Sequence, residues 1–146
     1  MKNKFCSIFL LLFALDGILG ILSGGLALLG SDFFYGTLFH LFVSVFTFCI
    51  IVCAIIQVII GFIKRLRWSA RIIGMYIIFY SLLTPVVNFL YGFYLGTTGM
   101  SLSEIAYFGP RSPFMNIYAT VIGFVQIILF FWALKDLSKG HYLSTE

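Results

Sequence analysis

The sequence predicts an all-α protein, a bundle of four transmembrane helices with both termini on the cytoplasmic side. Hydrophobic residues make up 62% of the 146 residues and charged residues only 10%, whereas a soluble domain carries roughly a quarter charged residues to face water. The apolar residues form four long runs, and the basic residues lie almost entirely on one side of these runs. The length indicates one domain, residues 1–146, without a separate soluble module.

Four runs are long enough to cross the hydrocarbon layer of a bilayer, which takes about 20 apolar residues in a helix. The predicted spans cover about 5–29, 37–63, 72–95 and 114–135. The first run exceeds the roughly 7–15 apolar residues of a signal peptide, and it lacks a clear cleavage site before a soluble domain. We therefore expect it to remain as a span.

The orientation follows from the basic residues, because lysine and arginine favour the cytoplasmic side of a membrane. Eight of the nine lie on one side of the predicted spans, and only Arg111 lies on the other. This predicts cytoplasmic termini and a cytoplasmic middle loop, and it attributes the net charge to topology, so nucleic-acid binding is not expected. The middle loop is also expected to contact anionic lipid headgroups, at about 1 kcal/mol per basic residue. Its basic residues are Lys64, Arg65, Arg67 and Arg71.

The second outer loop, residues 96–113, contains a helix-start signal. Ser101 and Glu104 have the spacing of a capping box, in which each side chain accepts from the other residue's amide. The signal predicts a short interfacial helix that ends at Gly109-Pro110. This helix is either a lid over the bundle or a tether that satisfies its own backbone near lipid.

Each span has a face of polar or small residues, which indicates the side turned away from lipid. In the first span Gly20 and Gly24 form a GxxxG pattern that allows close helix packing. In the third span Pro85 removes one backbone hydrogen bond, so it kinks the helix or leaves a free carbonyl. The polar or small positions are Asp16, Gly20, Ser23, Gly24 and Ala27; His40, Ser44, Thr47, Ala54 and Gln57; Tyr76, Tyr80, Thr84 and Asn88; Asn116, Thr120, Gly123 and Gln126.

Asp16 lies about halfway along the first span, where an acid costs roughly 2.5–3.5 kcal/mol on insertion scales. No basic residue lies at a similar depth. By depth, its expected neighbours are Thr47, Tyr80 or Thr84, and Gln126. Burial without a cation disfavours the charged form, so Asp16 is either a neutral acid that ties helices together or a proton- or cation-coupling carboxyl in a transport path.

No set of residues predicts catalysis, a metal or a cofactor. Cys49 and Cys53 share a helix face, which fits apolar packing residues, a redox pair or a metal site, but no histidine or carboxylate is near in sequence. An enzyme acting on lipid would need Asp16, His40 and Tyr80 to converge. His40 lies roughly 10 Å or more from Asp16 along the membrane normal, at 1.5 Å per residue. We therefore expect no enzyme.

The middle hairpin carries a resemblance. Gly61-Phe-Ile-Lys-Arg-Leu-Arg-Trp-Ser-Ala-Arg71, followed by an apolar span with a central proline, resembles the middle hairpin of small uncharacterised bacterial four-helix membrane proteins. The glycine-rich first span resembles theirs as well. The resemblance implies a multi-pass protein of a bacterial plasma membrane, and it carries no known activity.

Two function classes follow from these observations. The first is a non-enzymatic accessory or interaction protein. The alternative is a proton- or ion-coupled transporter or channel subunit that uses Asp16 in the bundle interior, together with Tyr80, Thr84 and Gln126. The expected partners are the lipid bilayer and either further copies of this chain or another membrane protein.

Overall fold

The computed structural model describes residues 4–30 and 37–139. Helix accounts for 91% of these residues, and no strand occurs among them. The helices are α1 (Lys4–Leu28), α2 (Thr37–Ile63), α3 (Trp68–Thr97), α4 (Leu102–Arg111) and α5 (Pro113–Ser138). Lys2 and nearly all of the predicted first outer loop lie outside the described residues.

Four helical stretches are long and apolar enough to cross a membrane: α1, α2, α3, and α5 together with the short α4 ahead of it. This confirms the predicted all-α class and the number of long apolar helices. It follows from the apolar length of each run, since a helix satisfies its backbone hydrogen bonds internally while its side chains face outward.

The turn between α2 and α3 is tighter than the basic segment 64–71 suggests. The Leu66 amide donates to the Gly61 carbonyl at 2.9 Å and the Arg65 amide to the Phe62 carbonyl at 3.4 Å, with Arg65 at φ 47°. These bonds form a Schellman motif, in which a residue at positive φ closes a helix. Leu66 is thereby turned inward and buried, and α3 begins at Trp68, four residues before the predicted span.

The predicted capping box begins α4. The Ser101 amide donates to Glu104 Oε2 at 2.8 Å, and the Glu104 amide donates to Ser101 Oγ at 3.4 Å. The predicted end at Gly109-Pro110 is wrong, because the helix continues to Arg111. Proline restricts the residue before it through that residue's N–H and Cβ. Glycine has no Cβ, so part of this restriction is absent at Gly109 and the last turn can pass through Pro110.

A single residue, Ser112, connects α4 to α5. Its amide donates to the Gly109 carbonyl at 3.2 Å and caps the end of α4. Its hydroxyl accepts from the Met115 amide at 3.2 Å and caps the start of α5. Pro113 occupies the first turn of α5, where its missing N–H costs nothing and its fixed φ suits a helix.

α3 continues through Pro85. Proline has no N–H to donate four residues back, so the carbonyl of Ser81 loses its helical partner. One residue earlier, Thr84 Oγ1 donates to the Tyr80 carbonyl at 2.8 Å. The helix is not interrupted at Pro85, and the two outcomes expected there, a kink or a free carbonyl, stay predictions.

The bundle has two unlike halves. The basic end is formed by the start of α1, the turn 64–67 and the end of α5, and its core is fully buried. In the distal half, none of the described α2 side chains before Ile50 is buried, and none of the α3 side chains after Ile77. The basic-end core consists of Phe9, Leu10, Phe13, Ile50, Ala54, Ile73, Ile77 and Ala133.

Candidate functional site

The distal half contains a partly open cavity of about 530 Å³. It lies among the four long helices, and α4 forms part of its wall. Its lining comes from residues 16–24 of α1, 39–46 of α2, 80–92 of α3, 105–109 of α4 and 115–126 of α5. Small-molecule sites in proteins are mainly apolar cavities of roughly 300–1,000 Å³ with a few convergent polar groups, and this cavity has that form.

Three polar side chains from three helices meet where the cavity borders the closed core. The Tyr80 hydroxyl donates to Asp16 Oδ2. Gln126 Nε2 donates to the same oxygen at 2.9 Å and to the Phe13 carbonyl at 2.9 Å. Asp16 thus links α1 to α3 and α5, and the structure brings together three of the residues selected from the sequence.

Within the described residues, the other two expected neighbours, Thr84 and Thr47, do not hydrogen-bond to Asp16. Thr84 Oγ1 donates to the Tyr80 carbonyl and lies 3.1 Å from the Tyr118 hydroxyl, higher on the cavity wall. Thr47 lies on α2 outside the cavity lining. Thr84 shares the helix face of Tyr80 one turn further on, so its distance from Asp16 depends on the axial position of α3. The position of Thr47 depends on the rotation of α2 about its axis.

Asp16 dominates the electrostatics of the cavity. Among the described residues that line it, Asp16 is the sole acid, and none is basic. Across residues 4–30 and 37–139 no basic side chain forms an ion pair with it. Both of its hydrogen bonds within this part of the chain end on Oδ2. The arrangement can therefore present a carboxyl group with hydrogen-bonding neighbours to an occupant of the cavity.

The predicted packing glycines of α1 lie against α5. An added Cβ on Gly24 would lie 2.5 Å from the Asn116 carbonyl oxygen, and one on Gly20 would lie 3.3 Å from the Ala119 carbonyl oxygen. Contacts below 3.0 Å are not tolerated by real Cβ atoms. The two backbones therefore approach closely along this seam, as they do where small residues face each other in membrane helices.

Sequence reasoning missed further glycine contacts. A Cβ on Gly123 would lie 2.6 Å from the Gly17 carbonyl oxygen, so the seam extends toward Asp16. On α3, positions Gly92 and Gly96 face the α4 side chain of Ile105, at 3.5 and 3.7 Å from their ideal Cβ positions. The four-residue spacing of Gly92 and Gly96 indicates that another helix packs against this face of α3. The sequence of α4 did not indicate that Ile105 would face these glycines.

A second polar cluster at the basic end was also missed. Ser69 Oγ donates to Asp136 Oδ2 at 2.6 Å, and Arg67 Nη1 lies 3.7 Å from Asp136 Oδ1. Nearby, the fully buried Gln57 donates from Nε2 to the Ala70 carbonyl at 3.1 Å. Asp136 directly follows Lys135. The basic residues of this region were interpreted as an orientation signal, and the acid among them was not considered as a hydrogen-bond partner.

The residues predicted to contact headgroups differ in their surroundings. The Arg71 guanidinium lies over the rings of Phe62 and Trp68, at 5.0 and 5.1 Å from their centres, and its Nε donates to the α2 backbone at 3.1 Å. Lys64 and Arg65 are exposed. Arg67, the fourth of these residues, lies beside Asp136 as described above.

Within the described part of the chain, no group of three His, Cys, Asp or Glu side chains is placed to hold a metal ion. The thiols of Cys49 and Cys53 are free. The side chain of His40 lies outside what the structure describes. No family model matches the chain, and comparisons with curated proteins and with solved structures find no match either. Its function therefore has to be inferred from the site itself.

Proposed function

We propose that the chain is a multi-pass protein of a bacterial plasma membrane, with the basic end and both termini in the cytoplasm. The four long apolar stretches support this topology, as does the grouping of eight of the nine lysines and arginines on one side. In this orientation α4 lies at the outer surface, where its exposed Leu102 and Phe108 side chains would meet the lipid interface.

Cysteine labelling tests the topology. Single cysteines are introduced by Ser103→Cys and Lys64→Cys in a chain whose three native cysteines are replaced by alanine. A membrane-impermeant maleimide added to intact cells should label position 103 at once and position 64 only after permeabilisation. The opposite pattern contradicts the orientation, and equal labelling of both in intact cells contradicts the four-span arrangement.

For the function, we propose a non-enzymatic role in which the protein binds a small lipophilic molecule in the distal cavity, as an accessory or interaction protein of the membrane. The observation that carries this proposal is the convergence of Asp16, Tyr80 and Gln126 on a cavity of about 530 Å³. The size of the cavity and its few convergent polar groups are typical of small-molecule sites, which supports a binding role.

Filling the cavity tests the binding role. Ser23 lines the cavity, and among the described residues its hydroxyl donates only to its own helix, at the Gly20 carbonyl, so Ser23→Leu adds bulk there at little structural cost. Gly25 has open space around its ideal Cβ and lies outside the lining, so Gly25→Leu is the matched control. The probes are tetraphenylphosphonium, tetraphenylborate and triphenylphosphine oxide.

Binding is measured by equilibrium dialysis of the purified full chain and by the rise in Tm, because a ligand that binds the native state stabilises it. At least one probe should bind the wild type and Gly25→Leu saturably but not Ser23→Leu. If none of the three probes binds the wild type saturably, or if Ser23→Leu binds as well as its control, the cavity is not a binding site.

A second candidate is proton- or ion-coupled transport, because Asp16 lies near the middle of an apolar helix and borders the cavity. Four helices leave little room for a complete path, so this role would require several copies or a partner. Proton- or ion-dependent flux into liposomes should be lost in Asp16→Asn and kept in Glu104→Gln. Flux that is unchanged in Asp16→Asn excludes a titrating role for Asp16.

A further inference from the structure

We propose that the occupant of the distal cavity is a lipophilic organic cation, whose charge lies beside Asp16 and whose apolar groups lie against the aromatic wall. This inference rests on the proposed binding function and names its ligand class. The juxtaposition of one carboxyl group with several aromatic rings, without any basic side chain among the described lining residues, leads to this class.

The sign of the charge comes from Asp16. Within the described lining there is no arginine, lysine or histidine to compensate it. Burial alone disfavours the charged form of Asp16, but a cation beside it favours the carboxylate. A charge interacts several times more strongly in a low-dielectric site than in water, so the carboxylate selects a cation and rejects an anion of the same shape. Tyr80 and Gln126 already donate to Oδ2, which orients the carboxyl group before a ligand arrives.

The rings supply the second element of recognition. A cation over the face of a tyrosine or phenylalanine gains about 0.5–2 kcal/mol, the larger values where water is excluded. Two tyrosines of the wall have supported positions: Tyr118 through its 3.1 Å contact with Thr84, and Tyr91 through a stacked contact with Phe114 at 4.9 Å. The aromatic lining residues are Phe39, Phe46, Tyr80, Tyr91 and Tyr118.

Size and donor chemistry favour an organic ion over a metal ion. The volume of about 530 Å³ suits a molecule of many atoms. A metal ion would instead require several carboxylate, imidazole or thiolate ligands, and no such group of three occurs in the described residues. Much of the remaining lining is aliphatic, as at Leu19, Val43 and Ile122. A hydrated inorganic cation would lose water there without replacement, whereas an alkyl or aryl cation would not.

Probes of matched shape and different charge test this inference. Tetraphenylphosphonium and tetraphenylborate share their geometry and differ in sign, and triphenylphosphine oxide is neutral. We expect the purified wild-type chain to bind tetraphenylphosphonium saturably, and at least tenfold more tightly than either other probe. Asp16→Asn should weaken that binding at least tenfold, because asparagine keeps the size and the acceptor oxygen but removes the charge.

Glu104→Gln is the charge control, since Glu104 is an exposed acid of α4 outside the cavity lining, and its affinity should equal that of the wild type. A Tm of Asp16→Asn close to that of the wild type shows that the variant is folded. If Asp16→Asn does not fold, Tyr118→Leu serves in its place, and removal of the ring should weaken the phosphonium more than the phosphine oxide.

The outcomes separate the ligand class from the binding function. Saturable binding of the neutral probe or the borate, equal to or tighter than that of the phosphonium, overturns the cation while leaving the binding cavity in place. Equal phosphonium affinity in wild type and folded Asp16→Asn also overturns it. The absence of saturable binding of all three probes to the wild type overturns both proposals.

Discussion

The two halves of the bundle are built from the same four helices and use their polar residues differently. At the basic end, the polar side chains of Ser69 and Asp136 bond to each other around a closed apolar core. In the distal half, Asp16, Tyr80 and Gln126 also bond to one another, but they border a cavity of about 530 Å³. Hydrogen bonding between polar side chains of neighbouring helices is therefore not enough to fill the space between those helices.

The size of the facing side chains makes the difference. Phenylalanine and isoleucine fill the basic-end core, as at Phe9, Phe13 and Ile77. After Leu19, the residues that α1 contributes to the cavity wall are small. Its glycines allow a close approach to α5 and have no side chains that could fill the cavity. Tight packing between α1 and α5 thus lies directly beside the cavity.

The largest expected difference between the halves is in leucine truncation along α1. Leu10 is 2% exposed in the core, whereas Leu19 lines the cavity. Leu10→Ala should lower the free energy of unfolding by about 3 kcal/mol through lost packing, and Leu19→Ala by less than about 1 kcal/mol. Unfolding of the purified chain by sodium dodecyl sulfate in mixed micelles measures both. Equal losses would mean that the distal half is packed as closely as the core.

A somewhat smaller effect is expected at the α1–α5 seam. Gly24→Ala brings a methyl group against the α5 backbone, which cannot rotate away, and overpacking of this kind costs about 1–3 kcal/mol. Gly25→Ala adds the same atom in open space and should change stability little. The same unfolding assay compares the two. A tolerated Gly24→Ala would show that the seam is looser than its geometry indicates.

The polar cluster at the basic end should contribute less. Ser69→Ala removes the 2.6 Å hydrogen bond to Asp136, and a hydrogen bond to a charged group contributes about 1.5–3 kcal/mol. We expect the lower end of that range because the pair is only partly buried. Ser138→Ala, which removes a local bond to the Lys135 carbonyl on an exposed helix end, is the control and should be near neutral. Identical behaviour of the two variants would contradict a stabilising role for the pair.

The smallest effect concerns α4 and pH. Hydrogen bonds from the Ser101 amide and hydroxyl hold the pKa of Glu104 below its ordinary value of 4.5. A lowered folded-state pKa means that this cap stabilises α4 above pH 4.5 and that the stabilisation is lost as pH falls through the folded-state pKa.

An NMR titration of the Ser101 amide should therefore have its midpoint below 4.5. In Ser101→Ala the Glu104 midpoint should rise, because the hydroxyl donor is gone. A wild-type midpoint at or above 4.5 would be inconsistent with the capping box.

Apolar run length predicted the long helices, and side-chain spacing predicted the start of α4. The depth of each residue along its span correctly predicted that Asp16 lies beside Tyr80 and Gln126. In a four-helix bundle, a polar residue on an inward face has few possible neighbours at the same depth. Depth could not separate Tyr80 from Thr84, which differ by one turn, because the choice depends on how α3 is shifted along its axis.

Other features depend on tertiary contacts that one-dimensional patterns do not encode. The seam at Gly17 and Gly123 follows from which two helices are neighbours, and the sequence does not specify this. Asp136 was missed because its partner Ser69 lies 67 residues away, in a segment interpreted for its charge. The cavity itself is a volume left between side chains, so no residue pattern marks it.

The one-residue corner at Ser112 has a mechanical consequence. Because the same residue closes α4 and opens α5, a change of angle between them can occur only at the backbone of Ser112, where it would break the bonds that cap the two helices. We therefore expect α4 to follow a tilt of α5. The part of the cavity wall that α4 contributes would then move together with the helix that supplies Gln126.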